Sequence, residues 1–264
     1  MQIMKYSWKQ ESGSYEPYIS LSDGSSMKLF GRDIDMVLGK KTCTGYKKKG
    51  KHFKCPISSP TDSNYMCNYC RMEDDFFNCV QCTGKECINL PQRDSCMENR
   101  YFIYLASFGS ILKVGISFNM RFLHRLIEQG ADFGAKIGHV KDGKEVRMIE
   151  QDIRRHLGIV DRVVSMEKHS RLFCDPNVCI ESISSAIARL GGNGFDAHLI
   201  NPEIYDLRSH YRLDRIISEP DVVEVADGTR IKGTVTSAKG NIIAVKDGKR
   251  FSAINAHRLI GRHV

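Results

Sequence analysis

Two stretches of the chain repeat their apolar positions at helical spacing. From Lys144 to Leu157 these are Val146, Ile149, Ile153 and Leu157; after Asp175-Pro176 they are Ile180, Ile183, Ile187 and Leu190. Each pattern predicts an amphipathic helix. The second has a cap and a proline at its first turn, and Gly191-Gly192 closes it. Upstream, Phe102–Ala106 and Ile111–Ile116 are two apolar runs across a short Gly-containing turn, which predicts paired strands. Ser117-Phe118-Asn119 offers caps for a helix over Arg121–Gln129 that Gly130 ends, and Ala135–Val140 reads as a further strand. Near the N-terminus, Tyr18–Leu21 and Met27–Phe30 flank Asp23-Gly24, a hairpin signal. Near the C-terminus, Ile231–Thr236, Ile242–Val245 and Phe251–Ile254 alternate with Asp-Gly and Lys-Gly turns. Short strands at that spacing predict a small β-barrel of the SH3 or OB kind, with the N-terminal hairpin completing it.

These patterns divide the 264 residues into four regions. They are an N-terminal β-hairpin region (1–39), a polar region rich in Lys and Cys (40–100), an α/β core (101–218) and a C-terminal β region (219–264). The fold class is α+β, with no internal repeat or low-complexity tract. The 41% apolar content suits a folded chain, and no window reaches the ~18 apolar residues of a membrane span. MQIMKYSWKQ has no apolar leader, so a cytoplasmic protein with no membrane partner is expected.

Region 40–100 is too poor in aliphatic residues to hold itself together by burial. It carries eight of the ten cysteines, spaced as Cys43, Cys55, Cys67-x-x-Cys70, Cys79-x-x-Cys82, Cys87 and Cys96. A C-x-x-C knuckle turns two thiolates toward one tetrahedral ion, and structural zinc takes four such ligands. Eight thiols make two structural Zn²⁺ sites. The sequential partition is Cys43, Cys55, Cys67 and Cys70 for one ion, and Cys79, Cys82, Cys87 and Cys96 for the other. An interleaved partition, or His52 in place of one thiol, stays open, as do reduced thiols, disulfides or an iron–sulfur cluster. Cys174 and Cys179 read as packed thiols near a helix start.

Lys and Arg number 39 against 31 Asp and Glu, a surplus of eight (39 − 31). Lys40, Lys41, Lys47, Lys48, Lys49, Lys51 and Lys54 crowd one stretch, with no acid between Asp35 and Asp62. Such a loop, ordered by zinc, can grip phosphates with Lys47, Lys48, Lys49, Lys51 and Lys54, and with Tyr46 and Phe53 for stacking. Arg121 is a further candidate contact. The plainer reading of the run is a solvated ligand loop.

FIYLASFGSILKVGIS, followed by an Arg-bearing and then a Glu-bearing helix, resembles the GIY-YIG nuclease superfamily. The resemblance implies a ββαβα core and a divalent-metal-dependent phosphodiesterase. It also implies site residues: Tyr104 on the first strand, Lys113-Val114-Gly115 as the second motif, Arg125 on the first helix with Arg121 as competitor, and Glu150 on the later helix with Glu145 as competitor. Phe102 stands where that family has its first Gly, and Lys113 where it has its second Tyr. The chain is still more similar to domain of unknown function 2797. That likeness rests on a Cys-rich region, then Tyr-Leu-Ala, Lys-Val-Gly, Arg125-Leu-Ile-Glu-Gln-Gly-Ala131 and a terminal β unit.

The residues carry a chemistry of their own. Arg125 can clamp a phosphoryl group, and Glu150 can offer a hard oxygen to one Mg²⁺ or Mn²⁺. Tyr104 can orient or deprotonate water if Lys113 and a metal lower its pKa. Lys113 can act at the phosphate by its charge. Glu150 falls beside the apolar stripe of its helix, at the i+4 position from Val146, and a Glu there needs a partner or a metal. The expected function is a zinc-stabilised nuclease or phosphodiesterase acting on DNA or RNA. The alternative is a non-catalytic nucleic-acid or ribonucleoprotein binder that uses the same core as a scaffold, ahead of a zinc-folded protein adaptor.

Overall fold

The computed structural model describes residues 1–62, 64–192, 194–195 and 199–264. They form two compact units. Met1–Phe77 and His210–Val264 make the first, and Asn78–Ser209 the second, so the boundary falls inside the Cys-rich region, between its two groups of four cysteines. No helix among the described residues is long and apolar enough to cross a membrane.

The first unit begins with β1 (Ile3–Glu11), β2 (Ser14–Leu21) and β3 (Ser26–Lys28), an antiparallel sheet in that order. The pairing of β2 with β3 across Asp23-Gly24 is the hairpin expected from the sequence; β1 was not. The mixed polar text of β1 hides Tyr6 and Trp8, and both donate to the Gly240 carbonyl, at 2.7 and 2.8 Å. Trp8 also meets Phe30 and Tyr211 edge to face, with centroids 5.9 Å apart in each case. An aromatic of this size buries ~150–250 Å² and anchors a small core. After β4 (Asp33–Val37) come the short hairpin of β5 (Tyr46–Lys48) and β6 (Lys51–Phe53) and helix α1 (Asn68–Glu73).

The second unit holds α2 (Arg93–Glu98), β7 (Arg100–Phe108), β8 (Ile111–Phe118), α3 (Phe122–Gln129), β9 (Phe133–Lys141), α4 (Gly143–Leu157), α5 (Ser165–His169), α6 (Pro176–Leu190) and β10 (Ile204–Asp206). Its antiparallel sheet has the order β10-β9-β7-β8, so β7 is central. From β7 to α4 the elements run ββαβα. One sheet face, with Tyr101, Ile103, Leu105, Val114, Ala135 and Ile137, packs under α4 and α6. Val146, Ile149, Ile153 and Leu157 are buried on α4 as the periodicity predicts. On α6 the buried stripe is Cys179, Ile183, Ala186 and Leu190, turned from the predicted one, and Ile180 is exposed. The cap signal holds at α6, where Asp175 accepts from the Asn177 amide at 2.9 Å, and α4 has a cap of the same kind that the sequence reading did not single out, Asp142 accepting from the Lys144 amide at 2.6 Å. At α3 the Gly130 stop holds, in the left-handed conformation, while its N-cap position is Arg121, with no side-chain cap bond. The Asn119 side chain lies outside the described residues.

The chain then returns to the first unit with β11 (Asp221–Val223), β12 (Arg230–Lys239), β13 (Ile242–Asp247), β14 (Arg250–Asn255) and α7 (Ala256–Leu259). Their sheet has the order β11-β14-β13-β12-β4. The N-terminal region does contribute a strand to it, but that strand is β4 rather than the hairpin. The strands of this unit stand in separate sheets of five, three and two, and no closed barrel is present among the described residues. Parallel pairing of β11 with β14 and the end of the sheet at β4 leave two edges where the expected barrel would have a seam.

Candidate functional site

In the first unit, Cys43, Cys55, Cys67 and Cys70 bring their sulfurs within 4.8 Å of one another. They come from the strand-poor chain before β5, the exit of β6 and the first turn of α1. Four thiolates on one zinc at ~2.3 Å stand no more than about 4.6 Å apart, so the group fits a tetrahedral ion. Amides already point at it: the Gly45 and Cys67 N–H groups donate to Cys43 Sγ at 3.4 and 3.2 Å, the outer contacts that steady a thiolate. Burial raises the Cys55 thiol, but the Ser59 and Ile57 amides and neighbouring thiols outweigh it and bring the group to about 7. Gly45 is required by the geometry. It has φ +90°, and a Cβ there would fall 2.0 Å from the Phe53 carbonyl oxygen. His52 is not among the gathered donors; its Nε2 lies 2.8 Å from the Thr44 carbonyl oxygen.

Cys79, Cys82, Cys87 and Cys96 are not gathered to that distance among the described residues. Cys79 Sγ accepts from Asn89 Nδ2 at 3.1 Å, and Cys87 Sγ donates to the Asn89 carbonyl at 3.5 Å. Cys96 Sγ lies 3.5 Å from both the Tyr101 hydroxyl and Arg147 Nη1. The last contact ties the end of the Cys-rich region to α4, one turn before Glu150.

The Lys-rich hairpin of β5 and β6 faces acids that the sequence separates from it. Lys48 pairs with Glu73 at 2.6 Å, and the Lys47 amide donates to Asp74 at 2.8 Å. The Lys49 amide donates to Asp75, whose own amide reaches the Lys47 carbonyl at 2.9 Å. Tyr46 and Phe53 stack on each other at 5.4 Å, and Tyr46 also meets Tyr69, so the two rings expected for bases are occupied by one another. Lys51 and Lys54 are exposed. Arg121 pairs with Glu128 at 3.2 Å, and Glu128 also takes His124 at 3.4 Å and Arg125 at 4.0 Å.

In the second unit, the sheet face opposite α4 and α6 carries Tyr104. A register shift between Ile103 and Tyr104 lies where β7 pairs with β9, and such irregularities re-aim side chains. Tyr104 is 1% exposed and lies against Gly115. A Cβ at Gly115 would sit 2.4 Å from the phenol oxygen, which explains the glycine of the Lys-Val-Gly motif. Gly115→Ala is expected to lower the thermal unfolding midpoint measurably, by the ~1–3 kcal/mol typical of overpacking. An unchanged midpoint would contradict the packing of this ring on β8.

Gln129 Nε2 donates to the Tyr104 hydroxyl at 2.9 Å. Burial raises the phenol's pKa and outweighs the lowering by Arg125 and Gln129. With burial dominant, the chain's own groups leave Tyr104 protonated, able to orient water rather than deprotonate it. The two groups whose ionisation is drawn toward neutrality are Lys113 and Glu150. Burial, helped by Arg125, lowers the Lys113 ammonium to about 8 against the pull of Glu150 and Asp161. Burial also raises the Glu150 carboxyl to about 7, against Lys113, Arg147 and Arg125. These mutual influences bring Tyr104, Lys113, Arg125 and Glu150 into one electrostatic neighbourhood. Among the described residues no cation stands within 4.0 Å of Glu150, and the acid nearest Arg125 is Glu128. The structural salt bridge that would have explained Arg125 and Glu150 as scaffold is not formed. Glu145 lies in the first turn of α4, where the helix dipole accounts for it.

Gln129 was not singled out from the sequence, although it stands inside the Arg-x-Ile-x-Gln-Gly-Ala motif. Its position four residues after Arg125 puts both on one face of α3, the signal that could have found it.

No curated protein and no solved structure matches the chain. One family model, described as "Protein of unknown function (DUF2797)", matches residues 31–264. That span takes in the four gathered thiols, the Tyr104–Glu150 neighbourhood and the C-terminal sheet, and the chain belongs to this family.

Proposed function

We propose that the chain is a zinc-stabilised phosphodiesterase that cleaves nucleic acid with the help of one divalent ion at Glu150. The observation that carries the reading is the pair Lys113 and Glu150. An ammonium lowered to about 8 and a carboxyl raised to about 7 share a half-buried neighbourhood without closing into an ion pair. A fold does not keep two such costly groups apart for stability, and oppositely perturbed groups of this kind mark sites that do chemistry. The ββαβα order and the central position of β7 support it, because they put Tyr104, Lys113, Arg125 and Glu150 on the elements that the GIY-YIG resemblance assigns.

Glu150 fits a hard divalent ion such as Mg²⁺ or Mn²⁺, which takes one or two carboxylates and completes its shell with water and phosphate oxygen. When bound, that ion polarises the phosphoryl oxygen and offsets charge on the leaving oxygen. The protein's own groups do the rest. Arg125, exposed at its guanidinium, offers two parallel N–H donors to the non-bridging oxygens. The Lys113 ammonium adds positive charge where the pentavalent phosphorus gathers negative charge. Tyr104, held by Gln129, fixes the attacking water without giving up its proton. Water attacks phosphorus, the bond to the leaving oxygen breaks, and the products are a phosphomonoester and a hydroxyl.

The acids beside the Lys-rich hairpin favour this reading over one in which Lys47, Lys48 and Lys49 make the main contact with phosphate. The test is a cleavage assay on labelled single- and double-stranded DNA and RNA with zinc-loaded protein. Cleavage is expected with added Mg²⁺ or Mn²⁺ and none in their absence. Intact substrates throughout, with binding retained, would turn the reading to the non-catalytic binder.

A further inference from the structure

Asp132 lies some forty residues before Cys174 and Cys179 in the sequence, and the fold brings the three donor atoms within 4.8 Å of one another. We infer that they form a further divalent-metal site, of the zinc class, separate from the eight clustered cysteines and from Glu150.

The site is built, not incidental. Asp132 lies at the entry to β9, directly before Phe133 and two residues after the α3 stop Gly130, and is fully buried. Its amide donates to the Ser107 carbonyl at 2.8 Å, its carbonyl accepts from the Leu207 amide at 3.0 Å, and its Oδ2 accepts from the Gly109 amide at 2.8 Å. Two segments therefore hold the Asp132 backbone, and the Gly109 amide fixes where the carboxylate points. Cys179 is fully buried in the first turns of α6, and its Sγ lies 3.4 Å from the Gly109 carbonyl oxygen. Cys174, half-buried, precedes the cap residue Asp175 of the same helix. The β7–β8 turn at Gly109 thus holds one donor from β9 and one from α6, while the entry to α6 supplies the third.

The chemistry of the set selects the ion. Two thiolates and one carboxylate oxygen match zinc, whose bonds of ~2.3 Å to sulfur and ~2.0–2.2 Å to oxygen keep all donors of one ion within about 4.6 Å. The hard ions that suit Glu150 do not take thiolates. Bound to a cation, the three are held as anions and the thiol protons are released. Arg208 supplies an outer positive charge: it stacks on Phe133, the residue after Asp132, at 4.8 Å and pairs with Asp206 at 2.6 Å. Three protein donors leave one tetrahedral position for water or another ligand.

The test compares zinc content in full-length protein purified without chelator. Relative to the parent chain, the double variant Cys174→Ser/Cys179→Ser is expected to hold one equivalent less. Asp132→Asn is expected to lose that equivalent at a chelator concentration tenfold lower. Unchanged zinc in both variants overturns the proposal. Should the variants fail to fold, alkylation of the parent protein decides: zinc is expected to slow modification of Cys174 and Cys179 at least tenfold relative to the stripped chain, and equal rates overturn the site. A Cys174–Cys179 disulfide in fresh protein, seen as a mass short by two hydrogens and reversed by reductant, overturns it too, in favour of a redox pair.

Discussion

Glu150→Gln is expected to abolish cleavage and, in metal-free buffer at pH 8, to raise the thermal unfolding midpoint. The two effects have one cause. The folded-state pKa of Glu150 lies at about 7, above its ordinary value of 4.5, so folding penalises the ionised carboxyl. The penalty is absent below about 4.5, grows as pH rises between the two values and is complete above about 7. Gln keeps the shape and never ionises, so the variant regains on the order of 1–3 kcal/mol at pH 8 and nothing at pH 4. The same removal takes away the oxygen that holds the ion, and a rate loss of at least ~100- to 1,000-fold follows from losing one preorganised electrostatic group. A scaffold role predicts the opposite sign: a stability loss at every pH. Differential scanning fluorimetry in EDTA across pH 4–9, set beside the cleavage rate, separates the two. A lower midpoint at pH 8 would contradict the site.

The second large effect concerns the thiols of the first unit. Cys43, Cys55, Met66 and Cys70 form a core cluster, and among the described residues only the partly buried Tyr46 and Cys67 pack against it as further hydrophobic groups. So few apolar groups do not hold a segment this long, and small cores of this kind depend on a staple. Structural zinc contributes about 10–16 kcal/mol in zinc-finger peptides at pH 7, far more than the cluster can. Cys70→Ser, or stripping of zinc, is therefore expected to open residues 43–73 while the sheet of β1–β3 and the sheet of β12–β14 persist. Limited proteolysis read by mass spectrometry should show first cuts inside 43–73, at least tenfold faster than in the zinc-loaded chain. Equal cutting rates would mean that the gathered thiols carry no ion that matters to the fold.

Local signals survived folding best. The α4 stripe, the Asp175 cap, the Gly130 stop and the Asp23-Gly24 hairpin each depend on neighbours within a few residues. The grouping of Cys43, Cys55, Cys67 and Cys70 was legible because spacing and chemistry agreed. What the sequence hid was non-local. Pairing of β4 with β12 joins residues some two hundred positions apart, and nothing in Asp33–Val37 announces its partner. The acids Glu73, Asp74 and Asp75 meet the lysines across a turn that zinc chemistry, not periodicity, would dictate. Tyr104 reads as a half-buried strand residue, yet α3 covers it: Phe122 packs on its ring and Gln129 bonds its hydroxyl. Burial then decides the sign of its pKa shift against the nearby charges. Asp132 escaped notice because one Asp after a helix stop is ordinary until the fold sets two thiols beside it.

Single-turnover cleavage of a labelled oligonucleotide by zinc-loaded protein in Mn²⁺ separates catalysis at Glu150 from binding by the Lys-rich hairpin. Four chains of equal zinc content are compared: the parent, Glu150→Gln, Arg125→Ala, and the triple variant Lys47→Ala/Lys48→Ala/Lys49→Ala. Cleavage by the parent is expected, with loss of at least ~100-fold in Glu150→Gln and in Arg125→Ala, and a change of only a few fold in the triple variant. Undiminished cleavage in Glu150→Gln, or loss confined to the lysine variant, would contradict catalysis at Glu150.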